Sequence, residues 1–320
     1  MKRLMSMLIA VVILTPMTIF GNVPEGFVPG EESSDSRDFP TPNGPSQSVI
    51  NINNMAYWMK KSSAGTTSGS PNGTQADYPI GTGGLIYEDG MLWGVKVTDG
   101  NPQSPRVGGT TYNSGLKAGR VVYDSDGQVI GSTDPADHHA WRVRSDYMTA
   151  DLTADAANFG ASVEDVYDQY EYDWNNWPAD WGAPFDDINS NGQYDPDVDI
   201  PGYPGADQTI WTISNDIPRI IDGSGNEISY WTNSVFGSDP IGIELRITLW
   251  AYDVDHDSPL GNVVFKKSGI TYTGFNEDEE YIAPEVLDTV YFSQWSDPDL
   301  GEYTDDFVGC DTDLSMGFVY

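Results

Sequence analysis

Basic residues are scarce in this chain: 15 Lys+Arg stand against 49 Asp+Glu over 320 residues, a formal net charge of -34. Nucleic acids and anionic lipid surfaces are bound through Lys and Arg that neutralise phosphate, so charge argues against both as partners. A single cysteine, Cys310, cannot form an internal disulfide, and three histidines leave little material for a transition-metal site. After the first 20 residues no apolar run approaches the length of a membrane span. Apolar material is not lacking, however: 38% of residues are hydrophobic and 12% aromatic, which separates this chain from a disordered acidic tail. The excess of carboxylates makes divalent cations the natural partners; the competing reading of the charge is a solubilising surface suited to a saline medium.

The amino terminus reads as an address. Lys2 and Arg3 precede a mostly apolar run from Leu4 to Phe20, and Gly21 follows at a plausible cleavage point, so residues 1–21 are expected to be a secretory signal peptide with no membrane span left after its removal. Residues 22–48 are rich in Pro, Gly, Ser and acid without an apolar period, and are expected to be a flexible leader. The chain ends on GFVY with no polar cap, and is therefore expected to be a piece of a longer protein interrupted within a strand.

Between these ends the pattern is mainly β. Asp89-Gly90 and Asp126-Gly127 each sit between apolar runs, and Asp-Gly supplies the positive φ of a tight hairpin, so both are read as turns in a β-rich region over 49–160. AWRVRSDYM, from Ala140, adds a short strand. A single short helix is expected in 161–207: Ser162 is a good N-cap with Asp165 near the capping-box position, and Val163, Val166, Tyr167, Tyr170 and Trp174 recur at helical spacing before Pro178. In IGIELRITLWAYD, Ile241, Ile243, Leu245, Ile247 and Leu249 alternate with Gly242, Glu244, Arg246, Thr248 and Trp250, which predicts a strand with one buried face. NVVFKKSGITYTG and EVLDTVYFSQW follow in the same style with polar connections, so 208–320 is expected to form an antiparallel β-sandwich.

The chemistry concentrates in PFDDINSNGQYDPDVDIPG, which lies in a stretch without Lys or Arg between Arg144 and Arg219. Asp187, Asn189 and Asn191 alternate, Gly192 follows, and Asp195 comes eight residues after Asp187. Calcium takes six to eight oxygens, and alternate side chains on a tightly curved loop can converge on one ion. Gln193 would offer its backbone carbonyl and Asp195 a direct or water-bridged oxygen. At the twelfth position, where a helix-loop-helix calcium site has a bidentate Glu, this chain has Val198, so Asp197 or Asp199 would have to substitute. Pro184, Pro196 and Pro201 disfavour continuous flanking helices, which makes a free-standing loop of the dockerin or thrombospondin-repeat kind the expectation. The competing reading is an Asn-Gly turn that binds nothing.

Other groups are weaker. Asp297, Asp299, Asp305, Asp306, Asp311 and Asp313 match no fixed metal spacing, and exposed loop acids explain them at less cost; Asp253, Asp255 and Asp257 read as a polar turn. His138-His139 favours a surface turn over half a metal site, and Trp174, Trp177 and Trp181 favour core over a sugar-stacking platform. No nucleophile elbow, phosphate-binding loop or zincin helix is present, and no carboxylate pair singles itself out as acid and base.

The segments DWNNWPADWGAPFDDINSNGQYDPDVDIPGYPGADQTIW, GSDPIGIELRITLWAYD, LGNVVFKKSGITYTG and SQWSDPDLGEYTDDFVGCDTDLSMGFVY resemble a family of large secreted proteins of Bacteroidetes- and Ignavibacteria-type bacteria, many of which carry a C-terminal sorting domain for type IX secretion. The resemblance implies export to the cell surface or medium and implies no particular reaction. The expected function is thus a structural, adhesive or ligand-binding role outside the cell, stabilised by calcium, with an extracellular glycan or surface protein as partner. The alternative is a secreted polysaccharide-acting hydrolase or carbohydrate-binding module.

Overall fold

The computed structural model describes residues 18–19, 44–97, 105–231, 240–255, 257–274 and 287–320. The rest of the expected signal peptide, the leader as far as residue 43, and His256 lie outside the described residues. Over the described residues the fold is mainly β, with several largely antiparallel sheets and two α-helices.

The central strand, Gln208–Asn215, has the sequence QTIWTISN, in which β-branched and aromatic side chains favour a pleated, packed surface, and all eight of its residues are buried. It pairs antiparallel with Ile243–Ala251 from Gln208 opposite Ala251 to Asn215 opposite Glu244. Ile243–Ala251 pairs in turn with Phe265–Tyr272, along whose outer edge the two-residue strand Thr18–Ile19 runs parallel. The other edge of the central strand carries Trp141–Arg144 at one end and Lys117–Ala118 at the other.

Both faces of this sheet are covered. Ile243, Leu245, Ile247, Leu249 and Ile210 face a core shared with Ile50, Met55, Met59, Met91 and Trp93. Trp211 and Ile213 face the opposite way and pack with Trp141, Trp177, Ala183, Phe185 and Tyr194. The alternation in Ile243–Ala251 therefore identifies the core side, but the expected solvent side is closed as well. Glu244, Thr248 and Trp250 are buried, and Glu244 accepts the Val121 N–H (2.9 Å) and an Arg246 guanidinium N–H. Burying a carboxylate is tolerable here because those donors replace water.

Asp126-Gly127 turns as expected between Val121–Tyr123 and Val129–Ser132, with Gly127 at φ 77. Asp89-Gly90 does not turn. It lies inside the continuous strand Glu88–Val97, which pairs with Arg106–Gly109 on one side and with Leu287–Asp297 on the other. Gly90 serves close approach instead: a Cβ there would lie 2.4 Å from the Thr110 carbonyl oxygen and 2.7 Å from Trp295 Nε1. Asp89 is buried, accepting from Tyr57 Oη, Gln75 Nε2 (2.9 Å) and Lys266 Nζ (3.0 Å). Strands from the first and last thirds of the chain thus share a sheet.

The expected helix is present at Val163–Asn175, with Ser162 and Asp165 forming a reciprocal capping box. A second, shorter helix, Thr153–Phe159, precedes it and had no counterpart in the sequence reading. Its N-cap, Leu152, makes no side-chain cap bond, and the local acceptor is one residue earlier, where Asp151 Oδ1 takes the Thr153 N–H at 3.0 Å. Burial of Ala156 and Phe159 against Trp58 and Tyr170 stabilises it, as does Asp155, which receives guanidinium groups of Arg142 and Arg144.

Candidate functional site

The acidic loop hangs from the far face of the central sheet. Its ends are joined by a two-stranded ladder in which Phe185 pairs with Pro201 and Asp186 with Ile200. The ring of Phe185 meets that of Tyr194 edge-on at 5.6 Å. Two further bonds tie the loop to the long helix: Tyr194 Oη donates to the Trp174 carbonyl at 2.7 Å, and Trp174 Nε1 donates to the Pro196 carbonyl at 3.3 Å. The loop is therefore positioned by its aromatic residues, while its polar residues are left to organise themselves.

They do so around one turn. Asp187 Oδ1 accepts the Asn191 N–H at 3.1 Å and Asp187 Oδ2 the Gly192 N–H at 2.7 Å. Asn189 Oδ1 also accepts from Asn191 N (3.0 Å), and Asn191 Oδ1 accepts from Gln193 N (2.7 Å). Gly192 holds φ 76 and Ser190 φ 58, the left-handed conformations that bend the chain this sharply. Further on, Asp195 Oδ1 accepts from Asp197 N at 3.1 Å. Asp199, which is buried, reaches back with Oδ1 to the Ile188 N–H (3.0 Å) and with Oδ2 to the Asp195 N–H (2.8 Å). One carboxylate thus fastens the end of the loop to its beginning.

The structure therefore brings Asp187, Asn189 and Asn191 to a single turn, with Gln193 beside them through its N–H, and uses Asp195 and Asp199 to close the remainder. Asp197 is exposed and takes part through its backbone N–H, and Val198, at the twelfth position, is exposed. Asp199 is the residue that spans the loop. Among the described residues, no three of His, Cys, Asp and Glu are grouped so as to hold a metal ion. A calcium ion here would have to draw on the amide oxygens of Asn189 and Asn191 and on backbone carbonyls as well as on carboxylates, a mixed oxygen set that suits a hard cation.

The histidines do not form the expected surface turn. His138 and His139 are both buried. His139 Nε2 lies 2.7 Å from Asp173 Oδ1, and Asp173 also accepts from Gln169 Nε2 (2.8 Å) and Arg142 N (2.8 Å). His138 Nε2 pairs with Thr133 Oγ1 at 2.7 Å, and its pKa is lowered to about 3, first by burial and then by the Arg120 charge. The sequence signal that finds Asp173 is its place on the capped helix, four residues after Gln169 on the same face. Of the three tryptophans Trp177 is core, buried and donating Nε1 to the Pro184 carbonyl (2.8 Å), while Trp174 and Trp181 are half-buried and pack against the core clusters, Trp181 lying under the Arg120 guanidinium at 4.5 Å.

The late acidic run is built differently. Asp297 ends the strand Leu287–Asp297 opposite Glu88, the Asp299 N–H donates to the Leu85 carbonyl (3.1 Å), Asp306 Oδ2 accepts the Leu300 N–H (2.8 Å), and Asp311 Oδ1 accepts the N–H groups of Asp313 and Leu314 (3.0 Å each) in a short hairpin. No helix among the described residues is long and apolar enough to cross a membrane. No protein-family model, no curated protein and no solved structure matches this chain.

Proposed function

We propose that this is an exported protein of the cell surface or medium, with a structural, adhesive or ligand-binding role, whose Asp187–Asp199 loop is stabilised by calcium. The observation that supports this reading is the loop itself: oxygen-bearing side chains at alternate positions are wound about Gly192, and Asp199 ties the far end to Ile188. A chain with a single cysteine has no internal disulfide to rigidify such a segment outside a cell, and an ion bound to the folded state alone supplies the same restraint. The net charge of -34 acts in the same direction, since a divalent ion reduces self-repulsion among carboxylates.

The mechanism is linkage. Calcium that binds the folded loop and not the unfolded chain adds RT ln(1+[Ca]/Kd), about 2.7 kcal/mol when the ion is ~100-fold above its dissociation constant. The test is thermal unfolding in 10 mM calcium and in excess chelator. The transition is expected to rise by several degrees with calcium, and the difference to vanish in Asp187→Ala; coincident transitions for the unaltered protein would overturn the reading.

A further inference from the structure

A second polar surface, on the sheet that joins the first and last thirds of the chain, combines fixed aromatic rings with carboxylates. In this sheet Asp297 lies opposite Glu88 and Trp295 opposite Gly90, and directly paired residues share a face. The opposite face, with Met91, Trp93 and Val95, is the core side. On the outer face the indole of Trp295 covers Gly90 and donates Nε1–H to the Thr110 carbonyl. Tyr112 stands edge-on to it, ring centroids 5.3 Å apart at 71°, and donates its hydroxyl to Asp297 Oδ2 at 2.8 Å. Tyr87 flanks Tyr112 on its other side at 6.0 Å. Tyr112 is 58% exposed and Tyr87 38%. Each ring is oriented by its neighbours, yet presents aromatic surface to water.

The surroundings are acidic. Asp297 and Asp306 both bear on Asp299, and Glu88 feels Asp89 and Asp297, with Lys60 as the opposing cation. Glu88 Oε2 is enclosed and takes no hydrogen bond, although it faces a strand whose Asp297 is engaged by Tyr112. A purely apolar partner would strip water from these carboxylates without replacing it, and an anionic one would be repelled. A neutral sugar could stack on the rings but would leave the charge unanswered. A cation answers both, because its attraction to an aromatic face adds to its attraction to the carboxylate at the ring edge.

We propose that the face formed by Tyr87, Tyr112, Trp295, Glu88 and Asp297 is a docking site for Lys and Arg side chains of a basic peptide segment on a partner protein. The geometry is separate from the Asp187–Asp199 loop, so the test is run in chelator and its outcome leaves the calcium reading untouched.

The probe is the pentapeptide Arg-Gly-Arg-Gly-Arg, titrated calorimetrically into the full chain at low ionic strength. Binding is expected to weaken by about fivefold or more in Tyr112→Ala and in Asp297→Asn, and less in Tyr112→Phe, which keeps the ring and loses only its hydroxyl anchor. Asp253→Asn, on a different surface, serves as the control for diffuse attraction to a polyanion and should change the affinity by less than about twofold. Should Tyr112→Ala unfold, as read by its thermal transition, Tyr87→Ala takes its place. Equal weakening by Asp253→Asn, absence of peptide binding to the unaltered protein, or binding of neutral cello- or chito-oligosaccharides in place of the peptide would each overturn the proposal.

Discussion

Residues 187–199 and 297–313 are both acid-rich and both lack Lys and Arg, yet they fold on different principles. In the first, carboxylates and amides are spent on the loop's own backbone, and buried Asp199 bonds two N–H groups from distant points of the turn. In the second, the chain is carried by strand pairing, and its acids are mostly peripheral: Asp305 and Asp313 are exposed, and Asp311 bonds only the two N–H groups that follow it. Spacing accounts for the difference. Asx residues at alternate positions around Gly192 can each accept from the backbone two to five residues on, whereas of the later acids Asp306 and Asp311 accept backbone N–H groups and Asp305 and Asp313, off that spacing, point outward. Equal charge density therefore does not mean equal structural consequence.

That contrast is most exposed to test at Asp199. Asp199→Ala removes the acceptor of both the Ile188 and the Asp195 N–H groups, two part-buried bonds to a carboxylate that is itself buried, and should cost about 1–3 kcal/mol of unfolding free energy, measured by chemical denaturation. Gly192→Ala comes next. With φ 76 and open space around the position, the cost is backbone strain alone, about 1 kcal/mol in the same assay. At the other extreme, Asp305→Ala should fall within about 0.5 kcal/mol of the unaltered protein. A cost at Asp305 equal to that at Asp199 would erase the distinction between the segments.

The strand that pairs with the start of the late segment carries a titration. Glu88, opposite Asp297, has its pKa raised to about 7 by burial, against the opposing effect of Lys60 and with the help of Asp89 and Asp297. Between pH 4.5 and about 7 the folded state therefore holds more protons than the unfolded state, and stability falls as pH rises through that window. Glu88→Gln should flatten this part of the stability profile, followed as unfolding midpoint against pH. Asp216, raised to about 6 by burial, retains its share of the slope in the variant.

Several features were legible because their causes are local. The capping box of Ser162 and Asp165 lies within one turn of the helix it starts, and Gly127 needs nothing beyond its own φ to make a hairpin. The alternate oxygens from Asp187 to Asp195, with Gly192 between, announced a tight polar loop for the same reason. Where a distant segment decides, local signals misled. Asp89-Gly90 has the same chemistry as Asp126-Gly127, but Trp295 and Thr110 press on Gly90, while Lys266 and Tyr57 claim Asp89, and the dipeptide stays extended. The histidine pair looked like a turn until Asp173 and Thr133 were brought against it. The helix Thr153–Phe159 takes no cap bond from its N-cap residue Leu152 and is held by partners more than 90 residues before it, such as Trp58. The aromatic face around Tyr112 left no trace in the sequence, because its members lie at 87, 112 and 295.

The sequence by itself determined that this chain is acidic, mainly β, and furnished with one loop whose oxygens alternate about a glycine, since composition and short-range spacing act through neighbouring backbone groups. Tertiary structure alone decided which polar residues are buried, that Asp199 fastens the loop, and that Tyr112, Trp295, Glu88 and Asp297 share a face. The last of these depends on strand pairing across some 200 residues, and the energy that selects such a pairing comes from apolar burial on the faces of a sheet, while Asp199 acts within its own loop.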